Sequence, residues 1–161
     1  MSEETLNEAT GGVIGNKPSA LDLALDMIAR FEGFSSRAYP DATGYSIGYG
    51  HFIRPGDPYT PTSFISESEA RTLLKQDTQG AANCVRSSVQ VALTSNQEAA
   101  LISFVYNVGC GAFQGSTMLR KLNAGDYAGA SREFPRWNKS NGKILTALTE
   151  RRAEELEVFA A

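Results

Sequence analysis

The sequence predicts an α+β fold, mostly helical, with one small antiparallel β-hairpin segregated near the front of the chain. Three observations predict it. Apolar residues recur at helical spacing in six or seven separate segments, most of them opened by a capping residue and closed by glycine or proline. Between the first two of these, Tyr45, Ile47 and Tyr49 alternate with Ser46, Gly48 and Gly50, behind the turn sequence Pro40-Asp41-Ala42-Thr43-Gly44. A chain of 161 residues with 42% hydrophobic and 20% charged residues also has apolar material for one ordinary core.

Residues 1–18 hold Gly11, Gly12, Gly15 and Pro18 among polar residues without periodicity. They are expected to be a mobile leader, which leaves 19–161 as a single domain. Ser19 with Asp22 makes a capping-type start, and Leu21, Ala24, Leu25, Ile28 and Ala29 then share one helical face up to about Glu32. Gly33 supplies the stop, since glycine accepts the left-handed conformation that closes a helix. The hairpin spans Arg37 to His51, and glycines inside its strands point to a close approach by another backbone or a ligand. Pro55, Pro58 and Pro61 make 54–62 a loop. Ser66 with Glu69 then opens a long helix from about 67 to the mid-80s.

Thr94 with Gln97 opens the next helix, in which Ala99, Ala100, Leu101, Ile102, Phe104, Val105, Tyr106 and Val108 leave almost no polar face, so it belongs in the middle of the core. Gly109 and Gly111 are expected to end it. Ser116 starts a short helix to about Leu122, another runs from Asp126 to Phe134, and Pro135 is expected to stop that one. The last helix, about Ile144 to Phe159, brings Leu145, Leu148, Arg152, Leu156 and Phe159 together and is expected to turn its acidic residues outward.

Composition narrows the function classes. A formal charge of −3, from 15 Lys+Arg against 18 Asp+Glu, argues against a nucleic-acid partner. No apolar run approaches the roughly 20 residues that span a bilayer, and Met1 to Lys17 lacks the order of a signal peptide, so a soluble chain is expected. Cys84 and Cys110 have no CxxC spacing and the chain has a single histidine, so no metal or other cofactor is expected. One disulfide is the most that the two cysteines allow.

Glu32 and Asp41 are the pair with chemistry to offer. The carbonyl end of a helix disfavours the ionised form of Glu32, which suits a general acid. Asp41, in a turn lined by backbone N–H groups and water, stays ionised. Two carboxylates in contrasting environments are the equipment of glycoside hydrolysis, although acid pairs nine apart are common and spacing alone does not single these out.

The stretch Phe31 to His51, FEGFSSRAYPDATGYSIGYGH, resembles the active-site signature of the phage-type lysozyme (endolysin) family, glycoside hydrolase family 24. Glu32-Gly33, Tyr39, Asp41 and Ile47-Gly48-Tyr49-Gly50-His51 carry the resemblance. A second block, from Gln97 through SFVYNVGCGAFQGSTMLRKLNAGDY to Arg136-Trp137, resembles the family's central helix, small helices and tryptophan, and LTERRAEELEVF resembles its final helix. The resemblance implies a lysozyme-like architecture: a larger helical lobe, a small β-hairpin lobe and a cleft between them. It implies an inverting muramidase that cuts the β-1,4 bond between N-acetylmuramic acid and N-acetylglucosamine in peptidoglycan, made in the host bacterial cytoplasm as a monomer and acting in the periplasm or wall to lyse the cell. Glu32 would be the acid, with Asp41 and Ser46 holding water. Phe52, Tyr106, Asn107 and Ser116 would contact glycan, although Tyr106 reads equally as core.

The sequence departs from the family pattern in the turn. The hydroxyl before Ile-Gly-x-Gly-His is a serine five residues after Asp41, where the family has threonine six after, so the turn is one residue shorter and Thr43 competes for the water-holding role. His51 is expected to be structural, paired with a carboxylate at the hairpin base, and Trp137 to pack in the core. Eight basic residues against three acids between Thr117 and Arg152 suggest a basic lip facing a carboxylate-bearing polymer. Two other readings stand beside hydrolysis: a lytic transglycosylase, and a wall-binding module without turnover.

Overall fold

The computed structural model describes residues 18–161, so the expected leader lies, save Pro18, outside the described residues. Helix α1 (Ala20–Glu32) starts where the Ser19 hydroxyl accepts from the Asp22 N–H at 3.1 Å. It ends at Gly33, whose φ of 74° is the left-handed conformation expected there. The front sheet has three strands rather than two: β1 (Ser35–Asp41), β2 (Gly44–Gly48) and β3 (His51–Phe52), antiparallel in that order. Asp41 pairs with Gly44, leaving Ala42 and Thr43 as a two-residue loop. The short loop forces Ala42 to a φ of 50°, a region that disfavours a residue with a Cβ.

The sheet rests on α2 (Glu67–Ser88) through Gly48, where a Cβ would lie 3.0 Å from both the Ala70 Cβ and Ile65 Cδ1. The strand glycine thus marks a close approach. Helix α3 (Ser95–Val108) opens with a complete capping box between Thr94 and Gln97, and every residue from Ala99 to Val105 is buried. It packs against α1, α2 and the last helix, α7 (Thr146–Ala160), which makes it the axis of the helical lobe.

Between α3 and α7 the structure departs from expectation. Gly109 ends α3, but Cys110–Gln114 forms a further short helix, α4, whose Cys110 is disulfide-bonded to Cys84 of α2 with Cα atoms 5.9 Å apart. Closing a loop of that length is worth roughly 3–4 kcal/mol by chain entropy. After α5 (Thr117–Asn123) and α6 (Tyr127–Ser131), Pro135 does not stop a helix; it sits in the first turn of a 3₁₀ helix, Phe134–Arg136, where its missing N–H costs nothing. Next comes an unforeseen hairpin, β4 (Lys139–Ser140) and β5 (Lys143–Ile144). Its loop is Asn141-Gly142, with φ of 51° and 77°, the pair a two-residue hairpin favours. Helix α7 consequently begins at Thr146 and not at Ile144. Trp137 packs edge-on against Phe104, as does Phe134, so it does cement the core.

The last helix also overturns two charge expectations. Glu155 points inward and is fully buried, and Arg151 and Arg152, two of the eight cations assigned to a basic lip, are buried beside it. Lys121 and Arg136 both lie against Glu133, so the lip has far less free charge than the sequence suggests.

Candidate active site

The end of α1 delivers Glu32 to the junction of the two lobes, and its side chain keeps 30% of its exposure there. Its Oε2 accepts from Arg151 Nη1 at 3.0 Å. Arg151 is itself immobilised, because Nη2 donates to the Ser103 carbonyl at 3.1 Å, Nε to Glu155 Oε2 at 3.4 Å, and the guanidinium lies 4.6 Å from the Phe31 ring centroid. Glu32 is therefore held by a buried cation that is itself anchored to α3, to Glu155 and over the Phe31 ring. Gly50 explains itself at this point: with φ at 80°, a Cβ there would come within 3.4 Å of Glu32 Oε1, so glycine keeps that face of the carboxylate open.

Asp41 closes β1 at the exposed turn, and its Oδ2 accepts from the Ser46 hydroxyl at 2.7 Å. Ser46 is fully buried, whereas Thr43 sits in the exposed loop. The shortened turn therefore still brings the serine, five residues on, to the aspartate. Tyr39 ties the two carboxylates to one space. Burial, then the charges of Asp41 and of Glu32, raise its phenol above the ordinary value. Tyr106, half-buried at the end of α3, is pushed up to about 12 by burial, with Glu32 and Asp77 adding to it.

Tyr106 lines a hollow of about 330 Å³ with Gly50, Phe52, Arg54, Gln76 and Asp77. Its neighbour Asn107 lines a second, of about 600 Å³, with Trp137, Lys139, Ser140 and Leu148. Phe52 is exposed, and its ring lies over Gly44, where a Cβ would come within 2.8 Å of it. Three of the four expected glycan contacts thus face open space. Ser116 does not: it is buried, its hydroxyl donates to the Phe113 carbonyl at 2.6 Å and accepts from the Leu119 N–H at 3.1 Å, and so it caps α5. A serine that reads as a surface contact and as a helix cap is one residue with one hydroxyl, and the cap takes it.

His51 is paired with two carboxylates, not one. Its Nδ1 is 2.7 Å from Asp77 and its Nε2 2.9 Å from Asp57, which ties β3 to α2 and to the loop after β3. Burial lowers the affinity of this imidazole for a proton, but the bonds to Asp77 and Asp57 outweigh it and raise it above its ordinary value. Asp57 is held below the usual carboxylate range by the Arg54 N–H first and by His51 second. The residue that sequence reasoning missed is Arg151. Its signal was present, an arginine pair in a helix facing an apolar core, but nothing local says which partner each would find.

The family model for phage lysozyme matches residues 29–155. An endolysin of Bacillus phage PZA is 43% identical over 138 residues, which are 84% of this chain and 52% of that protein; the chain spans about half the length of that relative. An endolysin of Salmonella phage P22 is 37% identical over 134 residues, 82% of this chain and 91% of that one. Among solved structures, a P22 lysozyme mutant superposes with a TM-score of 0.78 at 35% identity, covering 86% of this chain and 95% of the other. The helical lobe and the small sheet accord with these matches, and the chain belongs to the phage lysozyme family.

Proposed function

We propose that the chain is an endolysin muramidase that hydrolyses the β-1,4 bond between N-acetylmuramic acid and N-acetylglucosamine with inversion. The Asp41–Ser46 hydrogen bond carries the reading, since it fixes a carboxylate and a hydroxyl side by side where water could be held, and Tyr39 feels the charges of both Asp41 and Glu32. Glu32 donates its proton to the leaving oxygen, from an orientation that Arg151 fixes. Asp41 accepts from the attacking water as that water bonds to the anomeric carbon on the opposite sugar face, and Ser46 holds Asp41 in place. Inverting glycosidases separate their carboxyl groups by roughly 6.5–9.5 Å to admit that water. Phe52, Tyr106 and Asn107 contact the glycan.

The catalytic unit is 19–161, it works as a monomer, and it reaches the wall from the periplasmic side after synthesis in the host cytoplasm. No helix among the described residues is long and apolar enough to cross a membrane. Purified sacculi test the reading. Wild type should release new reducing ends on muramic acid, and Glu32→Gln should release none, because the amide keeps the shape and has no acidic proton to give. Anhydro-muramic ends would replace this reading with a lytic transglycosylase, and binding without any cleavage would replace it with a wall-binding module.

A further inference from the structure

Arg151 creates a difficulty for the acid. A guanidinium 3.0 Å from a carboxylate favours its ionised form, whereas a proton donor has to hold its proton until the bond breaks. Behind Arg151 stands a second buried cation, Arg152, which is 1% exposed, lies 5.0 Å from the Phe104 ring centroid and donates from Nη1 to the Trp137 carbonyl at 3.4 Å. Both arginines converge on one buried carboxylate, Glu155.

We propose that Glu155 is a positioning residue for the reaction: its buried carboxylate absorbs one of these two charges, so that Arg151 orients Glu32 without stripping it of its proton. The proposal rests on the reading of Glu32 as the acid. The geometry is specific to the task. Glu155 is fully buried, and its Oε2 accepts from the Ser103 hydroxyl at 2.7 Å, from Arg152 Nη2 at 3.2 Å and from Arg151 Nε at 3.4 Å. Its Oε1 faces Arg152 Nε at 2.7 Å, off the hydrogen-bond axis, and neither atom has another partner. Burial raises the Glu155 carboxyl above the usual range, while Arg152, the Ser103 hydroxyl and Arg151 all favour its charged form.

The ledger of charge is short. Around Glu32 are Arg151 from α7, the Tyr39 phenol from β1, which also feels the charge of Asp41, and the Tyr106 phenol from α3. Facing Glu155 are Arg151 and Arg152 from its own helix and the Ser103 hydroxyl from α3. The nearby Arg30–Glu154 pair is internally neutral. With Glu155 ionised, the Arg151–Arg152–Glu155 cluster behind Glu32 carries one net positive charge; without Glu155 it carries two.

The test is the pH dependence of kcat/KM on purified sacculi. The activity limb that falls as pH rises reports loss of the Glu32 proton. In Glu155→Gln that limb should move to lower pH by roughly one unit, a tenfold loss at fixed pH on the limb. Arg152→Met should move it the opposite way, and Arg152→Met with Glu155→Gln together, which restores the net charge, should return it close to wild type. A purely structural role for Glu155 would lower activity at every pH and leave the limb in place. If Glu155→Gln does not fold, the upward displacement in Arg152→Met and its cancellation in the double variant remain the test. A folded Glu155→Gln, or a folded Arg152→Met, with an unmoved limb overturns the proposal, and so does a double variant displaced as far as a single one. Glu32→Gln run alongside separates the two readings: retained turnover there removes Glu32 as the acid, whereas an inactive Glu32→Gln with unmoved limbs elsewhere removes only the role of Glu155.

Discussion

Glu32 and Asp41 are the two carboxylates of the proposed site, yet the protein holds them by opposite means. Glu32 sits on the helical lobe, gripped by an arginine that is 5% exposed and whose three nitrogens each donate to a partner, Glu155, Glu32 and the Ser103 carbonyl. Asp41 sits on the sheet lobe, in an exposed two-residue turn, steadied by one serine hydroxyl. The difference matches what the proposed mechanism asks of each. A proton donor needs a fixed direction toward one oxygen, and rigidity costs it nothing. A group that holds water needs solvent to reach it, so it cannot be sealed in.

The largest effect should come from breaking the gripped side. Glu32→Gln should lower turnover of sacculi by roughly a thousandfold or more, while Tm stays the same or rises, since the amide oxygen still accepts from Arg151 and a charge leaves the negative end of α1. Asp41→Ala should cost activity of a comparable order, again without loss of fold, because its side chain is exposed and its one partner is local. Activity of either variant within tenfold of wild type would remove that residue from the mechanism.

A smaller effect sharpens the other side. Ser46→Ala should lower activity by roughly ten- to a hundredfold by freeing Asp41 from its one hydroxyl partner, while Thr43→Ala should be close to neutral. A harmless Ser46→Ala beside a severe Thr43→Ala would move the water-holding role to the loop.

Much of this contrast was legible in the sequence, for physical reasons that stop at a definite point. Caps and glycine stops are local, so Ser19, Thr94 with Gln97, and Gly33 could be placed residue by residue. Asp41 and Ser46 are five apart in one hairpin, and turn geometry brings them together. Arg151 and Glu32 are 119 residues apart, and Glu155 reads as one more acid on a charged helix; only packing shows that it faces inward. The hairpin at 139–144 is a different case, since Asn141-Gly142 is a strong local signal for a two-residue turn, and the apolar residues Ile144 and Leu145 beside it mimic the start of the last helix.

The smallest expected effect concerns what anchors the sheet lobe. His51 binds a proton more tightly in the fold than unfolded, so its contribution is complete below the unfolded value of about 6.5 and is lost as pH rises through the higher folded value. Asp57 is held below its unfolded value, so its contribution is present above about pH 4 and lost as pH falls through the folded value. The clamp is therefore strongest between those limits. His51→Gln should lower Tm more at about pH 5.5 than at about pH 9, read by thermal melts across pH. Equal losses at both would show that the imidazole acts by shape and not by charge.

The division of labour between the two carboxylates is tested most directly by the anomeric configuration of the freshly cut glycan, followed by proton NMR before mutarotation. Water held by Asp41 and Ser46 attacks from the face opposite the leaving group, so the new reducing end should appear first as the α-anomer and relax toward the equilibrium mixture. First appearance of the β-anomer would mean retention, and would contradict a mechanism in which Asp41 activates a water for direct displacement.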